Sequence, residues 1–144
     1  KCIEHVQYPM ILKPASGAGS AGVYRADNYD EAIKAFHIIT ADLTANSNLN
    51  WNPGCVKNTC LVEELLVGPE FDTDILMWDS KPVYVRTVDN WECLPPYFLE
   101  TGSNMPSIHP PGLVEALEKY AVDCVVALGF NFGCFHVECI VTSE

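Results

Sequence analysis

The chain predicts an α+β fold with largely antiparallel sheets. Its periodic segments run strand, strand, helix, then hairpin, helix, strand. One hairpin is legible directly, with Phe71–Trp78 and Val83–Val88 joined by the turn Asp79-Ser80-Lys81-Pro82. At 144 residues, 49% hydrophobic and 19% charged, the chain is long and apolar enough to bury a core.

The elements follow in order. An opening strand over Val6–Leu12 leads through a small-residue loop to a second short strand near Val23. Asn28 is placed to cap a helix, with Glu31 as capping-box partner, and Ile33, Phe36, Ile39 and Leu43 recur at helical spacing. Ala45–Asn58, rich in Asn with Pro53 and Gly54, predicts a loop. Cys60–Val67 is apolar apart from Glu63 and Glu64. In the hairpin, Phe71, Thr73, Ile75 and Met77 alternate with Glu70, Asp72, Asp74 and Leu76. A Pro- and Ser-rich loop spans Leu94–Pro111. Pro111 then suits the first turn of a helix carrying Leu113, Leu117, Tyr120, Ala121, Cys124, Val125 and Leu128, and Gly129 its C′ position. A final strand runs Gly133–Val141. Neither an internal repeat nor a low-complexity tract interrupts this order.

Lys plus Arg number 8 and Asp plus Glu 19, a net charge of −11. Such a field repels polyanions, so nucleic acid and anionic membrane are not expected partners. A bound triphosphate would have to be neutralised locally. No apolar run reaches the ~18 residues of a membrane span, and the N-terminus lacks a signal-peptide layout. Seven cysteines without a CxxC pair read as reduced thiols and a cytoplasmic location. The abrupt ends at Lys1 and Glu144 lead us to expect a fragment of a larger enzyme.

Three stretches carry chemistry. Lys13 ends an apolar strand and precedes Pro14 and the run Ala15-Ser16-Gly17-Ala18-Gly19-Ser20-Ala21-Gly22. A lysine there is costly unless an anion or carboxylate meets it, and a loop without bulky side chains lets backbone approach a ligand closely. The glycines spell GxGxxG, but a β-prone segment follows where a dinucleotide fingerprint needs a helix, and no Gly-Lys-Ser/Thr ends the loop as in a Walker A motif. A strand–loop–strand flap over phosphates remains, beside the alternative of a plain surface hairpin. Glu63-Glu64 closes its strand just before Gly68-Pro69-Glu70, where backbone groups could meet an adenine edge and a carboxylate a ribose. Glu138 is the only charge in the last strand, on the face that also holds Cys134, His136 and Ile140; such a carboxylate must be paired, raised in pKa or bound to a cation, and a hard cation such as Mg²⁺ would suit it. His136 reads as a core histidine with a satisfied hydrogen bond rather than a ligand.

Tyr8-Pro9-Met10-Ile11-Leu12-Lys13-Pro14 with its loop, Leu61-Val62-Glu63-Glu64 with Gly68-Pro69-Glu70, and Phe135-His136-Val137-Glu138 come in an order that resembles the ATP-grasp superfamily. Val88-Asp89-Asn90-Trp91, Leu94–Gly102 and Met105-Pro106-Ser107 are similar to its carnosine synthase and L-amino-acid ligase group. The resemblance implies a partial ATP-grasp fold of two α+β lobes. Residues 1–66 would form the small lobe with the phosphate loop, and 67–144 the start of the large lobe with the metal-binding strand. It implies ATP-dependent joining of a carboxylate to an amine through an acylphosphate, with ATP and Mg²⁺ (or Mn²⁺) as cofactors and amino acids as small-molecule substrates. A homo-oligomer of the full-length enzyme would be compatible with it.

By matching position, Lys13 would contact the ATP phosphates, and Ser16, Gly17, Gly19, Ser20 and Gly22 would fold over them. Glu63, Glu64, Leu65 and Leu66 would meet adenine, Glu70 the ribose, and Glu138 the metal. Arg86, Trp91, Tyr97 and Glu100 could line a substrate pocket or serve solvation and packing. The family's second metal element should follow Glu138, beyond Glu144, so the chain alone is expected to be inactive. Other readings are a carboxylase or purine-pathway ligase of the same superfamily, a non-catalytic nucleotide-binding fragment, and a dinucleotide oxidoreductase resting on GxGxxG alone.

Overall fold

The computed structural model describes residues 5–16, 19–44, 59–96 and 98–143. Gly17, Tyr97 and the expected loop over 45–58 lie outside the described residues. The chain divides into two compact units, Lys1–Leu66 with Cys93–Glu100, and Val67–Glu92 with Thr101–Glu144. The secondary structure is α+β and both sheets are antiparallel.

In the first unit, β1 (Met10–Pro14) starts later than the expected Val6 and includes Lys13. β2 (Tyr24–Ala26) pairs with it antiparallel across the small-residue loop, confirming a strand–loop–strand hairpin. α1 (Tyr29–Thr44) follows. Its start is a capping box: the Glu31 N–H donates to Asn28 Oδ1 (3.1 Å), and Glu31 Oε2 accepts from the Asp27 N–H (2.8 Å). β3 (Cys60–Glu64) pairs on the other side of β1, giving the order β2-β1-β3. The strand stops at Glu64, short of the expected Val67.

The α1 stripe agrees with the expectation at Ile39 and departs from it on the preceding turns. Ala32, Ala35 and Ile39 are buried, Ile33 is half-buried, and Phe36 is exposed; the Leu43 side chain lies outside the described residues. Large residues dominated the sequence pattern, whereas small alanines let the helix lie close to the sheet. They pack with Met10, Leu12 and Ala26 as one core, flanked by Val6, Tyr24, Cys60 and Val62. Each fully buried aliphatic side chain contributes about 1.5–3 kcal/mol.

The second unit holds β4 (Glu70–Trp78), β5 (Lys81–Asn90), β6 (Ser103–Asn104), α2 (Pro111–Ala127) and β7 (Gly133–Ile140). The sheet order is β6-β5-β4-β7. Asp79 and Ser80 both have positive φ (49° and 62°), the backbone of a tight hairpin turn. Phe71, Thr73, Ile75 and Met77 face inward as the alternation predicts, and α2 lays Leu117, Ala121 and Val125 over that side. Two inward hydroxyls, Thr73 and Thr87, satisfy one another at 2.9 Å. Gly129 (φ 82°) ends α2: its N–H donates to Val126 O (2.9 Å) and the Phe130 N–H to Val125 O (3.3 Å). Entry and exit of this sheet lie together, since the Val141 N–H donates to Pro69 O (3.0 Å) and a Cβ on Gly68 would stand 1.9 Å from Val141 O. No helix among the described residues is long and apolar enough to cross a membrane, and the described cysteines are free thiols.

Candidate functional site

In the first unit, β1 alternation sends Met10 and Leu12 toward α1 and leaves Ile11 and Lys13 on the opposite side. Glu63 stands opposite Ile11 in the β1–β3 register, one diagonal from Lys13. Lys13 Nζ meets Glu63 Oε2 at 2.6 Å, with side chains 37% and 46% exposed. The lysine is therefore half-exposed rather than buried at a strand end, and its counter-charge here is a carboxylate. A pair this open to water is worth roughly 0–1 kcal/mol. It holds the ammonium in place without committing it.

The small-residue loop bends through Gly19 (φ 61°), Ser20 (φ 57°) and Gly22 (φ 79°). A Cβ on Gly19 would meet nothing within 4 Å, so backbone conformation and not crowding favours glycine there. Ser20 Oγ donates to Phe98 O at 2.5 Å, fixing one side of the loop to the Cys93–Glu100 segment of the same unit. Ser16 is partly buried at the loop's start. At the far end of β3, Glu63 and Glu64 are exposed, the Leu65 N–H donates to Pro9 O (3.3 Å), and the unit's first stretch ends at Leu66.

In the second unit, the face of β4 turned away from α2 gathers acids. Asp72 stands opposite Glu138, and Asp74 opposite His136. Asn90 Nδ2 donates to Asp72 Oδ2 (2.7 Å) and to Glu70 Oε1 (3.1 Å), bridging two carboxylates. Asp72 is only 7% exposed, and its Oδ1 is buried without a hydrogen-bond partner. That oxygen lies 3.5 Å from His136 Nε2, while His136 Nδ1 meets Asp74 Oδ1 at 2.8 Å. His136 is thus hydrogen-bonded but 57% exposed, which corrects the expectation of a core histidine. Strand alternation puts Phe135 and Val137 inward instead. The hydrogen bond to Asp74 raises the imidazole pKa above its usual 6.5; burial opposes this, and the charges of Asp72, Asp74 and Glu138 add to it.

Ligand atoms of Asp72, His136 and Glu138 all lie within 4.8 Å of one another. Two of the three groups are carboxylates, one with an orphaned buried oxygen, and such hard oxygens fit Mg²⁺. Sequence reasoning found Glu138 and the polar face of β4. It missed Asp72, Asp74 and Asn90 as members of one cluster.

Arg86 stands opposite Asp74 in the register, yet its guanidinium donates to Val85 O (2.7 Å) and lies 5.7 Å from the Tyr84 ring centroid. It lines a cavity of about 590 Å³ with Thr87, Ser107, His109, Glu115 and Glu118 among others. Glu100 is exposed and belongs to the first unit, whereas Arg86 belongs to the second. Trp91 packs its ring on Gly102, where a Cβ would come within 2.6 Å, and the Trp91 backbone N–H donates to Gly102 O (2.9 Å).

A family model described as an ATP-grasp domain matches residues 6–144. Carnosine synthase 1 of Gallus gallus is 30% identical over 138 residues, which cover 92% of this chain and 14% of that protein. Dapdiamide A synthase of Enterobacter agglomerans is 26% identical over 156 residues, covering 96% of this chain and 31% of that protein. The crystal structure of an L-amino acid ligase from Bacillus licheniformis superposes with a TM-score of 0.75 at 25% identity, over 95% of this chain and 31% of that one. The chain thus spans between 14% and 31% of the length of these relatives.

Proposed function

The chain belongs to the ATP-grasp family, and on that premise we propose that it carries much of the nucleotide site of an ATP-dependent carboxylate–amine ligase that joins amino acids. The observation that carries this reading is the register-paired Asp72 and Glu138, a cation-seeking pair in a chain of net charge −11. Its likeness to carnosine synthase 1 and to an L-amino acid ligase supports an amino acid as the substrate class. The free thiols support a reducing, cytoplasmic setting.

The roles follow from charge. Lys13 contacts the ATP phosphates, exchanging a weak pairing with Glu63 for a stronger one with a polyanion. The loop carrying Ser16, Gly17, Gly19, Ser20 and Gly22 covers those phosphates and keeps water from the activated carboxyl. Glu63 to Leu66 offers the strand end to adenine. Glu70, steadied by Asn90, accepts from the ribose hydroxyls. Glu138, with Asp72 beside it, holds the metal, and Mg²⁺ when bound offsets the phosphate charge so that a substrate carboxylate can approach. Arg86, in its cavity, and Glu100 are the candidates for substrate contact.

The direct test is phosphate release by the full-length protein with Mg²⁺-ATP and pairs of amino acids. Amide product with stoichiometric ADP and phosphate supports the reading. ATP binding with no turnover on any amino-acid pair, but turnover with bicarbonate or a phosphoribosyl amine, would move the chain to another ATP-grasp ligase.

A further inference from the structure

The acid-lined face of the second unit holds more donor chemistry than an all-oxygen magnesium site needs. On adjacent rungs of the β4–β7 ladder, Asp72 faces Glu138 and Asp74 faces His136. Among the described residues, no lysine or arginine lies within ion-pair distance of Asp72 or Asp74; their only such contact is His136. The buried Oδ1 of Asp72 has no hydrogen-bond partner and faces His136 Nε2 at 3.5 Å. Asn90 pins the other oxygen at 2.7 Å, so Asp72 cannot turn away.

His136 adds what carboxylates lack. A neutral imidazole that donates Nδ1–H to Asp74 presents the Nε2 lone pair on its other side, toward Asp72. A carboxylate behind the ring is the usual outer support of a metal-bound histidine, fixing its tautomer and raising its basicity. The three donor atoms lie within 4.8 Å of one another, with Asp72 buried and His136 and Glu138 exposed. Nitrogen among the ligands favours first-row transition ions over Mg²⁺, which prefers oxygen and gives up water reluctantly.

We propose that Asp72, His136 and Glu138 form a two-oxygen, one-nitrogen ligand set that binds a divalent first-row transition ion without nucleotide, with Asp74 as the positioning residue behind His136. The inference shares Glu138 with the function proposed above. Ligation by His136, and binding in the absence of ATP, do not follow from that function.

Mn²⁺ is the probe, because it is paramagnetic and less drawn to the free cysteines than softer ions. The full-length, nucleotide-free protein is titrated with Mn²⁺ by electron paramagnetic resonance, and its echo envelope is inspected for ¹⁴N modulation. Bound Mn²⁺ with an imidazole ¹⁴N signal, displaced by Mg²⁺ only in large excess, is the expected result. His136→Ala should abolish that signal, and Asp74→Asn should weaken binding about 10–100-fold. Both side chains are exposed, so circular dichroism should show intact folds; Asp72→Asn is the third variant, expected to weaken binding at least about 10-fold. No Mn²⁺ binding without nucleotide, binding without ¹⁴N modulation, or modulation that survives His136→Ala would each overturn the proposal and leave a protonated His136 as a simple ion-pair partner. Mg²⁺-ATP affinity of the wild type is measured separately: failure there sinks the ligase reading and leaves this one standing.

Discussion

Replacing Lys13 by Ala separates two roles that the structure allows for one side chain. As a structural residue, Lys13 contributes a half-exposed ion pair with Glu63 at 2.6 Å, worth at most about 1 kcal/mol. Unfolding entropy grows with chain length and these 144 residues alone supply about 0.3 kcal/mol/K, so in a longer chain that loss lowers Tm by about 3 °C or less. As a phosphate ligand, it contributes a charge-assisted contact worth about 1.5–3 kcal/mol, which means ATP affinity reduced by roughly 10- to 150-fold. The full-length variant is assayed by differential scanning calorimetry and by ATP titration in the presence of Mg²⁺. A small fall in Tm with a large fall in affinity is expected, and turnover should drop with it. A Tm lowered by 6 °C or so with ATP affinity unchanged would refute the reasoning, because the pair with Glu63 would then be the lysine's whole role.

Glu138→Gln should raise the Mg²⁺ concentration needed for half-maximal ATP binding by at least about 10-fold, since a charged oxygen ligand is replaced by a neutral one; a superimposable Mg²⁺ titration would count against the assignment. Thr73→Val leaves the buried Thr87 hydroxyl unpaired and should cost about 1–3 kcal/mol in urea unfolding, whereas Thr73→Val with Thr87→Val should recover most of it. A double variant as unstable as the single would show that the hydroxyl pair is not what the site requires. Burial raises the Cys60 thiol above its ordinary 9.0, with the Lys13 backbone a smaller opposing influence. The folded state therefore resists ionisation of this thiol: stability is unaffected below the unfolded pKa and declines as pH rises from there through the folded value. At about pH 8, Cys60 should alkylate more slowly than the exposed Cys134, and mass-mapped labelling with equal rates would contradict this.

The sheet faces were legible because strand alternation has a strict period of two. Phe71, Thr73, Ile75 and Met77 point inward as their spacing requires, and the capping box at Asn28 and Glu31 forms as written. The α1 stripe was legible at Ile39 but misread on the turns before it, because burial depends on fit, and Ala32 and Ala35 fit where bulkier Phe36 does not. The acid cluster was only half legible. Alternation places Asp72 and Asp74 on one face of β4, and His136 and Glu138 on one face of β7, but nothing local says that the two strands are neighbours or that Asp72 meets Glu138. Asn90 escaped because β5 runs to Asn90, past the expected end at Val88. The partner of Lys13 was legible as a requirement, an anion or carboxylate; that the carboxylate belongs to Glu63 depends on the β1–β3 register.

Sequence order and spatial grouping part company at Cys93–Glu100, which lies between two stretches of the second unit yet groups with the first. Phe98, whose carbonyl steadies Ser20, therefore comes from far downstream of the hairpin it serves. A gene segment cut at Leu66 would encode both arms of the flap but leave its tether behind. Shuffling or grafting of these halves keeps that tether only as an interleaved exchange, with the short downstream stretch travelling alongside the N-terminal one.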